Sequence, residues 1–171
     1  MEDLKRIIRE VPDYPKKGIL FYDITTLLAD AKSFQRAIDL LAHPFCDQKI
    51  DRVLGIDARG FIIASAVAYK LCTGLSLVRK KGKLPYKTYK AEYELEYGND
   101  SVEMHVDAVA PGQRVLIADD LLATGGTAHA AIDLVQRSGG HIVACAFVIE
   151  LTALQGRKKV GSHPVHSLLQ Y

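Results

Sequence analysis

Arg114-Val115-Leu116-Ile117-Ala118-Asp119-Asp120-Leu121-Leu122-Ala123-Thr124-Gly125-Gly126-Thr127 is the stretch from which the rest of the chain can be read. Val115 to Ala118 is an unbroken apolar run bounded by polar residues, the pattern of a strand buried on both faces of a parallel sheet. Two carboxylates, Asp119 and Asp120, close that strand. Ala123 to Thr127 is small enough for backbone to fold around a ligand. Beyond it, Ala128, Ala131, Ile132 and Val135 mark one face of a helix.

Strand, acidic pair, small loop and helix together suit a phosphorylated sugar. Loop N–H groups and the positive end of the helix dipole favour a dianionic phosphate, and the Thr124 and Thr127 hydroxyls add donors. Asp119 and Asp120 carry the wrong sign for phosphate, which frees them to accept hydrogen bonds from sugar hydroxyls or to hold a hydrated Mg²⁺. No Lys follows the glycines, so this is not the GxxxxGK[ST] loop, and no GxGxxG occurs to support dinucleotide binding. The plainer alternative is a turn that needs small residues only for packing.

A length of 171 residues fits one domain able to bury a core without metal or disulfide staples. Hydrophobic content of 49% beside 25% charged residues describes a soluble globular chain, and a formal net charge of +2 gives no argument for nucleic acid. Cys46, Cys72 and Cys145 have no CxxC spacing, so reduced core thiols and a cytoplasmic location are expected. The acidic N-terminus is unlike a signal peptide, and no apolar run approaches the roughly 18 residues of a membrane span. Strands alternating with helices from residue 53 onward give an α/β class: an open, mainly parallel sheet with ligand loops at the strands' C-terminal ends.

The wording from Asp119 to Thr127 resembles the phosphoribosyl-pyrophosphate signature of type I phosphoribosyltransferases, in the style of their adenine-specific branch, and the resemblance covers essentially the whole chain. It implies the type I phosphoribosyltransferase fold, an open, mainly parallel twisted sheet flanked by helices, with a small hood over residues 1–30 and a flexible lid over residues 84–104. It also implies that Asp119, Asp120, Ala123, Thr124, Gly125, Gly126 and Thr127 bind the phosphoribosyl group.

Asp3 can cap a short helix with Leu4, Ile7, Ile8 and Val11 on one face, ended by Pro12. In the family the next passage lies over the purine, which makes Leu20, Phe21 and Tyr22 adenine-binding candidates together with Leu121. Phe21 reads equally well as a core residue. Many relatives carry Arg where this chain has Tyr22, so only a backbone contact carries over there. Asp30 or Ser33 starts a second helix with Phe34, Ala37, Ile38 and Leu41 facing inward.

Arg52 to Ile56 begins the next strand, and Asp57-Ala58-Arg59-Gly60 is a second strand-to-helix turn. Arg59 can meet an anion there. The resemblance assigns Asp57, Ala58 and Arg59 to pyrophosphate and implies a strained or cis peptide near Asp57-Ala58, although family members usually carry Ser where this chain has Ala58. The helix from Phe61 to Leu71 has almost no polar face, so it must be covered on several sides, and a homodimer is the economical expectation. Gly74 is placed to end it.

Arg79 to Lys90 holds six basic residues among twelve, interleaved with tyrosines. That run reads as a nucleic-acid patch, as a solvated face, or, by resemblance, as a loop supplying cations to pyrophosphate, in part across a dimer interface. On the last reading Arg79, Lys80 and Lys83 carry over. Ala91 to Gly98 alternates charged and apolar residues, and Val102 to Val106 can pair back on it across Gly98-Asn99-Asp100. Within this lid the resemblance makes Glu96 the catalytic carboxylate and Tyr97 a closing contact.

Gly139-Gly140 ends the helix after the organising stretch, Ile142 to Ile149 is another buried strand, Arg157 to Lys159 falls in a short basic helix, and His166 to Tyr171 resembles the family's last strand. His163 and His166 lack nearby carboxylates or thiols and read as surface or turn residues rather than metal ligands. The implied reaction joins adenine to phosphoribosyl pyrophosphate, giving AMP and pyrophosphate, with Mg²⁺ as cofactor held chiefly by substrate oxygens and by water to Asp119 and Asp120. A 6-oxopurine or orotate transferase shares the phosphate chemistry. A non-catalytic sensor of the activated sugar is the reading of a different class, opposed by the lack of a DNA-binding segment before residue 20 and by the presence of Glu96.

Overall fold

The computed structural model describes residues 1–94 and 99–171. At the N-terminus α1 (Glu2–Ile7) is shorter than the apolar spacing implies, and β1 (Arg9–Pro12) pairs antiparallel with β2 (Leu20–Asp23). The expected helix from Asp3 to Pro12 therefore stops at Ile7, and Val11 belongs to a strand. Asp3 does not cap it, because the Asp3 carboxylate pairs with Arg36 and with the terminal amine instead. After α2 (Thr25–Ala29), α3 (Ala31–Ala42) begins where capping chemistry places it: Asp30 accepts from the Ser33 N–H at 2.8 Å. Ala37, Ile38 and Leu41 are buried along its inner face, with half-buried Phe34 packed beside them.

The rest of the chain builds the sheet. β3 (Arg52–Ile56), α4 (Arg59–Lys70), β4 (Gly74–Lys80), β5 (Thr88–Glu94) and β6 (Asn99–His105) are followed by β7 (Arg114–Leu122), α5 (Gly126–Arg137), β8 (His141–Glu150), α6 (Arg157–Val160) and β9 (Val165–Gln170). Among the described residues seven strands share one sheet in the order β5-β6-β4-β3-β7-β8-β9. From β4 to β9 every neighbouring pair is parallel, whereas β5 and β6 form an antiparallel hairpin joined to β4.

Two features differ from expectation. Gly74 opens β4 rather than ending α4, because the chain already leaves the helix at Cys72, which has φ +53° and is followed by a Thr73 N–H donating to the Ala68 carbonyl at 3.0 Å. Asn99 and Asp100, expected in the turn, are paired within β6, opposite Glu94 and Tyr93.

β7 shows why the central strands are apolar without alternation. Leu116 and Ala118 pack into the layer under α3 and α4, while Val115 and Ile117 point the other way into the layer under α5. Both faces are covered, so every position of the run must be apolar. Gly55 lets α4 lie close on β3: a Cβ at that position would come within 2.7 Å of the Ala64 Cβ. Cys145 is buried in the α5 layer, and burial pushes its thiol up to about 12. Cys46 and Cys72 are exposed, contrary to the expectation of core thiols, because each follows a helix or 3₁₀ turn at its solvent-facing end. Among the described residues no helix is long and apolar enough to cross a membrane.

Since β3, β4 and β7 are parallel, their C-terminal ends meet at one edge. The chain runs from β3 outward to β4 and later to β7 on the other flank, which opens a crevice between β3 and β7.

Candidate active site

A cavity of about 430 Å³ lies at that crevice. Asp57, Ala58 and Arg59 enter it from the end of β3 and the start of α4, Lys80 from the end of β4, and Asp119 to Ala128 from the end of β7 through the first turn of α5. Tyr93 and Val102 of the hairpin close one side. The Asp57–Ala58 peptide is cis, as the resemblance implies.

Asp119 and Asp120 are buried within β7 itself, which runs on to Leu122. The Asp120 N–H donates to Asp119 Oδ1 at 2.8 Å. Gly60 gives the Asp119 carboxylate its room, because a Cβ there would collide with Oδ1. Burial, followed by the negative charge of Asp120, pushes the Asp119 carboxyl well above the usual carboxylate range, and Arg59 offsets part of that rise. Arg59 Nε lies 2.5 Å from Asp120 Oδ2, forming the ion pair that neutralises the acidic end of the cavity.

The loop after the acidic pair depends on Gly125, which has φ +81° and precedes α5. Only glycine adopts that left-handed conformation freely. No side chain caps α5, so its first N–H groups remain available to a ligand. Phosphate-suited donors and sugar-suited acceptors therefore face a common volume.

Of the residues singled out in the sequence, Asp57, Ala58, Arg59, Lys80, Asp119, Asp120, Leu121 and Ala123 to Thr127 line this cavity together. Arg79 stands at its rim, with Nε 3.4 Å from Asp57 Oδ2 and Nη1 donating to the Lys83 carbonyl at 3.0 Å. The Lys83 side chain is exposed. Leu20, Phe21 and Tyr22 lie outside the lining, but Phe21 is tied to it, since the Arg59 guanidinium sits 5.4 Å from the centre of the Phe21 ring. The Tyr22 ring stacks on Tyr171 instead, their centroids 4.0 Å apart, and packs against the core. Glu96 and Tyr97 fall outside the described residues.

Sequence reasoning did not pick out Tyr93, Val102 or Phe147, all of which line the cavity. Tyr93 donates to Asp100 Oδ2 at 3.1 Å, and burial together with the Asp100 charge raises its phenol. Its signal was the alternation of Ala91-Glu92-Tyr93, which places Tyr93 on the face opposite Glu92.

Comparison with known proteins gives a consistent result. The phosphoribosyl transferase domain model matches residues 23–168. An adenine phosphoribosyltransferase of Syntrophotalea carbinolica is 59% identical over 171 residues, covering all of both chains. The crystal structure of adenine phosphoribosyltransferase from Thermoanaerobacter pseudethanolicus superposes with a TM-score of 0.97 at 50% identity, covering 99% of each chain. That of the Saccharomyces cerevisiae enzyme, complexed with an imino-altritol bisphosphate and adenine, gives 0.92 at 39% identity over 97% of this chain and 96% of that one. The chain belongs to the phosphoribosyl transferase family and, within it, to the adenine phosphoribosyltransferases.

Proposed function

We infer that the chain transfers the 5-phosphoribosyl group of phosphoribosyl pyrophosphate to adenine, giving AMP and pyrophosphate, as in purine salvage. The observation that carries this reading is one cavity in which an uncapped helix start and its glycine loop face a buried acidic pair across from Arg59 and Lys80. The relatives named adenine phosphoribosyltransferase and the yeast complex with adenine support the choice of base.

On this reading Ala123 to Thr127 hold the 5′-phosphate, and Asp119 and Asp120 accept hydrogen bonds from the ribose hydroxyls. Asp57, Ala58 and Arg59 with Arg79, Lys80 and Lys83 receive pyrophosphate, for which Arg59 must exchange Asp120 for the incoming anion. Mg²⁺ fits the cavity's hard oxygen donors. Among the described residues no three His, Cys, Asp or Glu side chains are grouped so as to hold an ion, so Asp119 and Asp120, through water, would share it with substrate oxygens. When bound, it neutralises the leaving pyrophosphate.

As the bond from C1 to the pyrophosphate oxygen breaks, positive charge develops on the sugar. The buried carboxylates stabilise that charge, and an adenine nitrogen attacks from the opposite face. Glu96 takes or relays the proton adenine loses. The hood segment places Phe21, with backbone at Leu20 and Tyr22, over the base, with Leu121 beneath it. The lid, residues 84–104 with Tyr97 as a closing contact, excludes water.

A second copy of the chain belongs to the same reading. Ile62 and Tyr69 on α4 and Leu75 and Leu77 on β4 are exposed, with Tyr69 88% accessible, and a homodimer would cover them. The basic loop would then reach across the interface, and sedimentation at two ionic strengths tests the dimer. For the reaction itself, AMP and pyrophosphate should appear in equal amounts from adenine and phosphoribosyl pyrophosphate with Mg²⁺. Pyrophosphate release without AMP would overturn the transfer.

A further inference from the structure

The Ala123–Thr127 loop lies in close backbone contact with a segment outside the cavity lining. Gly156 has φ −56° and ψ −27°, values any residue adopts, so backbone freedom does not explain why a glycine stands there. Close packing does. A Cβ on Gly156 would collide with the Ala123 carbonyl oxygen and come within 3.0 Å of Leu122 Cδ1 and 3.1 Å of Gly125 N. Seen from the loop, a Cβ on Gly125 would strike the Gly156 carbonyl. The two backbones touch glycine to glycine.

The segment carrying Gly156 is anchored both to the last strand and to the elements flanking the loop. Arg157 grips the buried Glu150 carboxylate with both prongs, Nε to Oε1 at 2.6 Å and Nη2 to Oε2 at 2.7 Å. Ser167 Oγ and Gln170 Nε2 donate to Glu150 Oε2 as well, at 2.5 and 3.4 Å. The Leu151 N–H donates to the Leu122 carbonyl at 2.9 Å, and His129 Nδ1 lies 3.0 Å from the Lys159 carbonyl, tying α6 to α5. None of Glu150, Gly156 and Arg157 is among the cavity-lining residues.

We propose that Gly156, held by the Glu150–Arg157 pair, is a positioning residue that braces the Ala123–Thr127 loop in the shape that seats the substrate's 5′-phosphate. The proposal rests on the reading of that loop given above. Its function is selective, because the brace touches the phosphate end of the cavity and not the turn at Asp57–Arg59.

The test is Gly156→Ala in the full chain. At helical backbone angles this change by itself is neutral or mildly stabilising, so a loss reports the collision. The Kd of ribose 5-phosphate and the KM of phosphoribosyl pyrophosphate should rise about tenfold or more, since misplacing a positioning group by about 1 Å can cost about 10²-fold. Pyrophosphate affinity and the KM of adenine should stay within about twofold. A folded variant with unchanged ribose 5-phosphate affinity, or one that loses all ligands equally, overturns the brace.

Should that variant fail to fold, Arg157→Lys keeps the charge but loses the two-pronged grip, and the same split in milder form is expected. An absent split overturns the proposal. Failure of the underlying reading is distinct: wild-type chain that does not bind ribose 5-phosphate removes the phosphate assignment. Amide exchange at residues 123–127 then decides the brace alone, faster in the variant if the contact supports the loop and unchanged if it does not.

Discussion

Arg59 Nε lies 2.5 Å from Asp120 Oδ2, and the same guanidinium covers the Phe21 ring at 5.4 Å. One side chain thus joins the acidic pair to the hood. Because a charge-assisted hydrogen bond contributes about 1.5–3 kcal/mol, Arg59→Ala is expected to weaken pyrophosphate binding by roughly 10- to 100-fold. Calorimetric titration checks this, and unaltered affinity would move the pyrophosphate site elsewhere.

Asp119 should cost stability where it serves function. Its folded-state pKa is raised above the ordinary 3.8. Below 3.8 it is protonated in both states and neutral in effect, and as pH rises through the folded value its ionisation destabilises the native chain. Asp119→Asn is therefore expected to raise Tm at pH 7 by about 2–4 °C, the shift that ~1 kcal/mol produces in a chain of this size, with the gain vanishing towards pH 4. AMP formation should fall in the same variant. A lower Tm at pH 7 would contradict the burial argument.

Glu150 should behave in the opposite sense. Its bonds to Arg157 hold its carboxyl below the ordinary 4.5. The stabilisation is complete above that value and is lost as pH falls through the lowered folded pKa. Glu150→Ala is expected to cost about 1–3 kcal/mol near neutral pH, below the full value for a buried pair because the Arg157 side chain is 47% exposed. Urea denaturation at pH 7 and below pH 4 measures both ends of that window.

Glu96 lies outside the described residues, and its assignment rests on resemblance. Glu96→Gln should lower kcat by about 10²- to 10⁴-fold with little change in KM, as removal of a proton-transfer group does. Unchanged turnover would remove it from the mechanism.

How much of this was legible in the sequence differs by element. Val115 to Ala118 declared a two-faced strand because uninterrupted burial leaves no room for a polar position, and the Asp30 cap fixed the start of α3 through a local bond. Both signals are short-range. The N-terminal helix misled because Ile8 and Val11 keep helical spacing, yet pairing of Arg9–Pro12 with Leu20–Asp23 takes that segment into a strand.

Cavity residues next to the organising loops were readable from the chemistry of those loops. Tyr93 and Phe147 were not, since their place depends on which strands become neighbours. Gly156 was hidden for the same reason. Its helical angles give no local cue, and only its approach to Ala123 and Gly125 explains it.

The central claim, transfer of an activated phosphoribosyl group to adenine, is tested most directly by measuring kcat/KM for adenine, hypoxanthine, guanine and orotate in parallel with phosphoribosyl pyrophosphate and Mg²⁺. AMP formation exceeding every other product by about a hundredfold or more is the predicted result. Preference for another base, or binding of the activated sugar with no turnover of any base, would contradict it.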